Sequence, residues 1–237
     1  CDGDTVTISL PTETERWRIF RGDFDDKAES LREKSPEVFK RSANKPSTVK
    51  VAIREDEGDT AGRVHVTFPT QQRTHLPLHI NAEVFPDRGR LRLRTEQERG
   101  EWNRAAMAGA GRIIADKIIE IRDALASPLR FWDLVSSSWK VKDHAEDDLG
   151  ITLYWDHYLL DALLPEKVIW TNSEEWLTPD EVRSRPTEQD DEAVATGDDE
   201  AVTVLGRLGI NTVHRQIQQN TDDDLLEELE VAKLELS

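Results

Sequence analysis

The strongest structural signal in the chain is the stretch Leu76-Pro77-Leu78-His79-Ile80-Asn81-Ala82-Glu83-Val84-Phe85-Pro86. Its first part alternates between apolar and polar residues, which predicts a half-buried strand because successive strand side chains point to opposite faces. Pro77 has no backbone N–H, so it restricts this strand to a sheet edge or must stand at the strand end. Pro86-Asp87-Arg88-Gly89 then has the composition of a turn.

A second alternating segment and a helix follow the turn. Arg90-Leu91-Arg92-Leu93-Arg94 predicts a strand with its guanidinium groups on one face and its leucines on the other. Thr95 and Glu98 predict a capping box for a helix from about Glu96 to Ala126. Its apolar face is expected to contain Trp102, Ala106, Gly109, Ile113, Ile114, Ile118, Ile121 and Leu125. Ser127 and Pro128 suit the start of a further helix.

The remaining segments before residue 126 complete an α+β pattern. Strands are predicted at Thr5–Leu10, facing the core, and at Arg16–Phe20, with a helix at 23–34 interrupted by Ser35-Pro36. Thr48–Arg54 and Arg63–Phe68 suggest a hairpin closed by an acidic loop. We therefore expect an α+β fold, in which a long helix covers a mixed or antiparallel sheet and a helical C-terminal part follows.

The C-terminal half is richer in helical patterns. Helices are expected at 129–135 and 149–164, where Phe131, Trp132, Tyr154, Trp155 and Tyr158 have spacings suited to packing. Residues 183–200 are acidic and nearly devoid of apolar side chains, which predicts a linker. A last helix is expected at 225–236, capped by Thr221 or Asp222.

Composition limits the possible functions. The chain of 237 residues has a formal net charge of −17, which disfavours binding to nucleic acid or to an anionic membrane. No segment approaches the ~20 apolar residues that span a bilayer, and the single cysteine fits a reducing compartment, so we expect a cytoplasmic protein. Its only methionine is Met107, so we expect a fragment of a longer protein.

Two groups of residues resemble a known family. The first is the strand and turn stretch, through Leu76, Pro77, His79, Asn81, Glu83, Phe85 and Pro86; the second is Glu101-Trp102-Asn103-Arg104 at the helix start. They resemble the middle, or transducer, region of sacsin-like and heat-shock-chaperone-like ATPases of the gyrase, chaperone, kinase and MutL class. Trp176 and Pro179 extend the resemblance loosely.

The resemblance implies a division of the chain. Residues 1–22 would be strands trailing an upstream ATP-binding domain, 23–46 a helical connector and 47–126 the transducer-like α+β domain. Residues 127–182 would form a helical, aromatic subdomain, 183–200 an acidic linker and 201–237 a small helical C-terminal unit.

The chain lacks the motifs that would make it an ATPase alone. It has no adenine-binding Asp-x-Gly-x-Gly turn, no glycine-rich lid and no Walker-type loop. We therefore expect no catalytic residue, no metal and no cofactor in this chain, with ATP and magnesium bound only where an upstream domain is present. In the heat-shock chaperones, an arginine before the glutamate of this element reaches the terminal phosphate, but here that position is Ala82. The substitutes that we consider are Arg88, Arg90 and Arg92.

Weaker alternatives remain open. His75, His79 and Glu83 are four residues apart, but the strand pattern argues against a metal site. Ser136, Ser137 and Ser138 could supply a nucleophile by composition only. The expected partners are an upstream ATP-binding domain and a protein partner or client, to which the chain would relay nucleotide state. The rival interpretations are a scaffold that has lost ATP coupling, and a nucleic-acid-associated defence or repair module in which the arginine strand, with Trp102 nearby, would bind single-stranded nucleic acid.

Overall fold

The computed structural model describes residues 4–9, 14–40, 46–56, 62–89, 91–141, 158–185 and 204–234. It contains two compact units, Cys1–Leu159 and Leu160–Ser237, each described here by itself. The prediction of an α+β fold with a mixed sheet is confirmed. The finer predicted division of the chain, with a helical, aromatic subdomain at 127–182, stays a prediction.

The first unit is built on a six-stranded sheet with the order β1-β2-β3-β6-β4-β5. Its strands are β1 Asp4–Ser9, β2 Thr14–Asp23, β3 Thr48–Arg54, β4 Arg63–Val66, β5 Phe68–Arg73 and β6 Leu78–Ala82. All neighbours pair antiparallel except β4 and β6, which are parallel. β6 is thus an internal strand, and Pro77 stands just before its first residue, where the missing N–H costs no ladder bond.

The predicted hairpin between Thr48–Arg54 and Arg63–Phe68 is wrong. β6 lies between β3 and β4, pairing Val51 with Ile80 on one side and Val64 with Ile80 on the other. The alternating pattern located β3, but the predicted second strand, Arg63–Phe68, runs past the turn at Thr67 into β5. Such a pattern also contains no information on which strands pair. β4 instead forms a tight hairpin with β5, turning at Thr67, which has a positive φ of 65°.

The described part of the first unit also contains five helices, of which α3 packs on one face of the sheet. They are α1 Asp25–Lys34, α2 Pro36–Phe39, α3 Gln97–Asp116, α4 Ile118–Ala124 and α5 Pro128–Val141. The single predicted helix of 96–126 is divided at Lys117, and α3 begins after Glu96 with no side-chain cap bond, so the Thr95–Glu98 capping box does not form. No helix in the described parts of the chain combines the length and apolar character needed to cross a membrane.

The covered face forms the core that α3 packs against. Alternate residues of β3 and β6 are buried there, including Val49, Val51, Leu78 and Ile80, with Trp102, Met107, Ile113 and Ile114 from the helix. The close approach of helix and sheet requires Gly22, because a Cβ at that position would lie 2.8 Å from Ile113 Cγ1. Leu78, Ile80, Trp102 and Ile113 are therefore on the predicted buried face.

Two predicted strands differ from the structure. β1 is exposed at every residue and does not face the core. The Arg90–Arg94 segment forms no strand in its described residues; only Leu93 makes a bridge, to Pro86. Leu93 is 4% exposed and Leu91 is 47% exposed, so the two leucines do not share an environment.

The second unit contains short elements. Helix α6 spans Leu160–Leu163, and strands β7 Ile169–Trp170 and β8 Trp176–Leu177 pair antiparallel. Strand β9, Val182–Ser184, pairs in parallel with β10, Asn211–Thr212, and with β11, Ala232–Lys233. β9 overlaps the start of the predicted 183–200 linker, whose remaining residues from 186 lie outside the described ones.

The C-terminal helix is shorter than predicted. It spans Asp223–Glu228 with Asp222 at the N-cap position, and the chain then forms β11 instead of continuing to 236. Glu230, at a positive φ of 59°, lies in the turn between helix and strand. A further helix occupies Arg215–Asn220. Predicted helix residues 149–157, with Tyr154 and Trp155, lie outside the described residues.

Candidate functional site

The candidate site is the arginine loop, defined as residues 86–89 and 91–93. Pro86 and Leu93 form an antiparallel bridge at its base. Within the loop, the Asp87 N–H donates to Arg92 O at 2.8 Å, and the Leu91 N–H donates to Asp87 Oδ1 at 2.9 Å. The Gln71 N–H donates to Leu91 O at 2.8 Å, which attaches the loop to β5. The loop is therefore an ordered small hairpin at the edge of the sheet.

Asn103 fixes both ends of this loop to α3. Its Oδ1 accepts the Phe85 N–H at 2.7 Å, and its Nδ2 donates to Phe85 O and to Arg94 O, each at 2.8 Å. The Asn103 side chain is fully buried, at 0% exposure. A buried amide whose donors and acceptor are all satisfied specifies one geometry, because every displaced bond leaves a backbone group unpaired.

The neighbours of Asn103 extend this attachment. Trp102 Nε1 donates to Glu83 O at 2.7 Å, and Arg104 Nη1 donates to Thr95 O at 2.7 Å. Trp102 also packs edge-to-face on Phe24, with ring centroids 5.1 Å apart. The Trp-Asn-Arg triplet of the sequence motif is thus a clamp of three consecutive side chains on the backbone of 83–95.

Of the predicted phosphate-contacting arginines, Arg88 lies in the turn of the loop and Arg92 lies next to its base, where its carbonyl accepts the Asp87 N–H. Arg88 and Arg92 are exposed, and neither side chain forms an ion pair with a described residue. Arg90 lies outside the described residues. Two exposed guanidinium groups on a rigid support can bind an anion bidentately, as arginine does with phosphate oxygens.

Ala82 cannot take the role of the family arginine. It is 3% exposed and lies on the covered face of β6, beneath α3. An arginine at this position would be directed into the core and not toward a ligand in solvent. The arginine loop is therefore the part of the motif region that presents cations.

The other motif residues have structural positions. Leu76 is buried, and Asn81 is exposed on the uncovered face of the sheet. Glu101 forms an ion pair with Lys34 at 3.5 Å. The Pro86 carbonyl accepts from Arg94 Nε at 3.2 Å. Phe85 lies 5.8 Å from the Trp102 ring, measured between ring centroids.

The uncovered face of the sheet carries a groove of about 390 Å³, a volume typical of small-ligand sites. Trp17 and His79 lie side by side in it, with ring centroids 5.3 Å apart. No local pattern in the sequence indicates this grouping, since it depends on the non-local pairing of β2, β3, β6 and β4. The lining residues are Val6, Ile8, Trp17, Ile19, Lys50, Ala52, His65, His79 and Asn81.

A histidine pair lies at one end of this groove. His79 Nδ1 accepts the Arg63 N–H at 3.0 Å and lies 3.3 Å from His65 Nε2. Since the Nδ1 lone pair of His79 accepts the Arg63 N–H, this ring nitrogen carries no proton. Burial, the neighbouring histidine and Arg63 lower the pKa of His65, and burial is also the main cause that lowers the pKa of His79.

The weaker predicted sites do not assemble. His79 is in a strand and His75 precedes it at a positive φ of 58°, so these residues and Glu83 do not line up on a helix. Among the described residues, no three histidine, cysteine or acidic side chains are grouped as metal ligands would be. Ser138 Oγ donates to Leu134 O at 2.7 Å, which satisfies its hydroxyl within α5.

Comparison with known proteins finds no matching family model, no significantly similar curated protein and no significantly similar solved structure.

Proposed function

We propose that the first unit is a non-catalytic module of a chaperone-like ATPase, which relays the nucleotide state of an upstream domain to a protein partner. The observation that supports this most is the clamp of Trp102, Asn103 and Arg104 on the arginine loop. Arg88 and Arg92 would contact the phosphates of a nucleotide held by the upstream domain. ATP and magnesium belong to that domain and not to this chain.

The clamp gives a physical route for such a relay. A force on Arg88 or Arg92 acts on a loop that is bonded to α3 at Glu83, Phe85, Arg94 and Thr95. Because these bonds are short and Trp102 and Asn103, which donate or accept most of them, are buried residues, the loop and the helix move together. α3 packs on β2 and β3, so a displacement reaches the groove on the far side of the sheet.

The rival interpretations differ in what they require of the loop. A scaffold without ATP coupling needs the clamp but not the arginines. A nucleic-acid-binding module needs an aromatic surface beside the cations, yet Trp102 has no exposed surface for stacking on a base. The structure therefore offers less support for the nucleic-acid interpretation.

Arginine substitution in the full-length protein tests the proposal. We expect Arg88→Ala to lower ATP turnover at least tenfold, about 1.4 kcal/mol of transition-state stabilisation, with little change in nucleotide affinity. Arg92→Ala should act in the same direction. The matched control is Arg16→Ala, an exposed arginine on β2. Wild-type turnover in both loop variants, or a natural protein without an upstream ATP-binding domain, would overturn the relay and leave the scaffold.

Titration of this chain alone gives an independent test. Without an adenine-binding turn, a glycine-rich lid or a Walker-type loop, we expect no saturable binding of a non-hydrolysable ATP analogue with magnesium. Isothermal titration calorimetry measures this directly. A micromolar dissociation constant would show that the chain has a nucleotide site of its own. The proposal that only the upstream domain binds nucleotide would then be wrong.

A further inference from the structure

The two edges of the six-stranded sheet are protected very differently. β5 contains Pro69 and ends at Arg73, and its Gln71 N–H is bonded to Leu91 O of the arginine loop. Charge, proline and a covering loop are the usual means by which proteins prevent edge strands from pairing with other chains. β5 has all of these.

β1, at the opposite edge, has none of these protections over most of its length. After Asp4, the segment Thr5-Val6-Thr7-Ile8-Ser9 has no charged residue, no proline and no glycine, although one third of the chain is charged. Every residue of β1 is exposed, with Val6 at 37% and Ile8 at 43%. No described residue pairs with its outer side. Alternate N–H and C=O groups on that side therefore have no strand partner in the described part of the chain, and another strand can pair with them.

We propose that β1 is a self-association strand, through which two copies of the chain pair antiparallel about a two-fold axis perpendicular to the sheet. Such an interface is isologous, so the strand must be complementary to itself. The axis keeps the uncovered faces of both sheets on the same side. Opposed residues must then have the same parity.

The composition of β1 selects the register. Centring the axis on Val6 would place Asp4 opposite Ile8, which sets a carboxylate against an apolar side chain. Centring it on Thr7 places Val6 opposite Ile8 of the second copy and Thr5 opposite Ser9. Cross-strand pairs of β-branched residues stabilise a ladder, and none of these residues is charged. The axis passes at Thr7.

This contact is weak and depends on salt. A five-residue edge contact is expected to bury well under about 1,200 Å² in total, the range of transient complexes. Each copy also carries a charge of −17, and their repulsion falls when salt shortens the Debye length. Sedimentation equilibrium should therefore show the 27.1 kDa chain dimerising more tightly as sodium chloride is raised. A chain that stays monomeric at about millimolar concentration, near the weak limit of specific binding, would overturn the proposal.

Two lysine substitutions test which edge of the sheet, β1 or β5, mediates dimerisation. Ile8→Lys adds a charge beside the proposed axis and should weaken dimerisation at least tenfold. Phe68→Lys removes a 70% exposed aromatic side chain from β5 and should leave dimerisation unchanged. The reverse result would assign association to β5 or to general hydrophobic contact. Circular dichroism verifies that both variants fold.

Cysteine cross-linking tests the register in a Cys1→Ser background. Directly opposed residues have Cα atoms about 4.5–5.5 Å apart, within the range of a disulfide. Thr7→Cys should thus form a disulfide-linked dimer, whereas two copies of Thr5→Cys are about 13 Å apart and should not. A mixture of Thr5→Cys and Ser9→Cys should cross-link again. Cross-linking of Val6→Cys in place of Thr7→Cys would overturn this register.

Discussion

The covered and uncovered faces of the sheet are made from alternate residues of the same strands, yet they differ in composition. On β6, Leu78, Ile80 and Ala82 are buried beneath α3, whereas His79 is half-buried and Asn81 is exposed. The uncovered face nevertheless has an apolar centre, formed by Trp17, Ile19 and Ala52. Single exposed apolar residues are ordinary on protein surfaces. Several apolar side chains grouped on one face are instead typical of a binding surface.

The covered face of the sheet stabilises the fold, whereas the uncovered face presents side chains that a ligand can contact. Side chains of the covered face have exchanged water for protein contacts and contribute to stability. Side chains of the uncovered face keep part of their surface in contact with water, so they contribute less to stability. Substitutions of the same residue type on the two faces should therefore have very different effects on the free energy of unfolding.

The largest difference is expected between two isoleucines. Ile113→Ala on α3 should cost about 2–5 kcal/mol, because it opens a cavity against Gly22 and the covered face. Ile19→Ala on the uncovered face should cost about 1 kcal/mol, since its side chain is only half-buried. Urea denaturation of both variants measures the difference. Equal midpoints would show that α3 does not cover the sheet as described.

Two asparagines provide the next contrast. Asn103→Ala should cost about 2–3 kcal/mol, because Phe85 and Arg94 lose buried hydrogen-bond partners that water replaces only in part. Asn81→Ala, at an exposed position, should change stability by less than about 0.5 kcal/mol. Urea denaturation again compares them, and hydrogen exchange at the Phe85 N–H reports the clamp itself. Unchanged protection of that N–H in Asn103→Ala would show that Asn103 does not hold the Phe85 backbone in place.

The smallest effect is expected from the histidine pair. The pKa values of His65 and His79 are lowered in the folded chain, so the unfolded chain takes up protons first as the pH falls. Their contribution to stability is fully present above the unfolded pKa of about 6.5 and declines below it. His65→Gln should make the loss of stability between pH 7.5 and 5.5 smaller than in the wild type. Asn81→Ala, which removes no titratable group from the same face of the sheet, is the control and should keep the wild-type slope.

Local patterns predicted the positions of several strands and helices of the first unit. They did not predict which strands pair with each other. The bounds of β3 were predicted correctly, and the buried face of α3 was recognised from its helical spacing. The parallel pairing of β4 with β6 was missed, because a strand pattern records which face is apolar and not which strand is adjacent. For the same reason the groove was missed, whereas the Trp-Asn-Arg triplet was found by resemblance without its structural role.

The arginine loop shows a further limit. Its alternation of arginine and leucine is typical of a strand, but the segment bends so that Leu93 is buried and Leu91 is exposed. The hydrogen bonds from Asn103 and Gln71 outweigh the strand propensity of these residues. Both partners come from distant parts of the sequence, so the local pattern could not reveal them.

The position of β6 between β3 and β4 affects the order in which the strands can pair as the chain folds. During synthesis, β3, β4 and β5 leave the ribosome before β6, so the native neighbour of β3 on that side is the last to appear. A β3–β4 hairpin closes a shorter loop and can form earlier. It would occupy the edge of β3 that Leu78–Ala82 must reach. The native topology therefore requires this early hairpin to stay unformed, or to open, before the sheet can close.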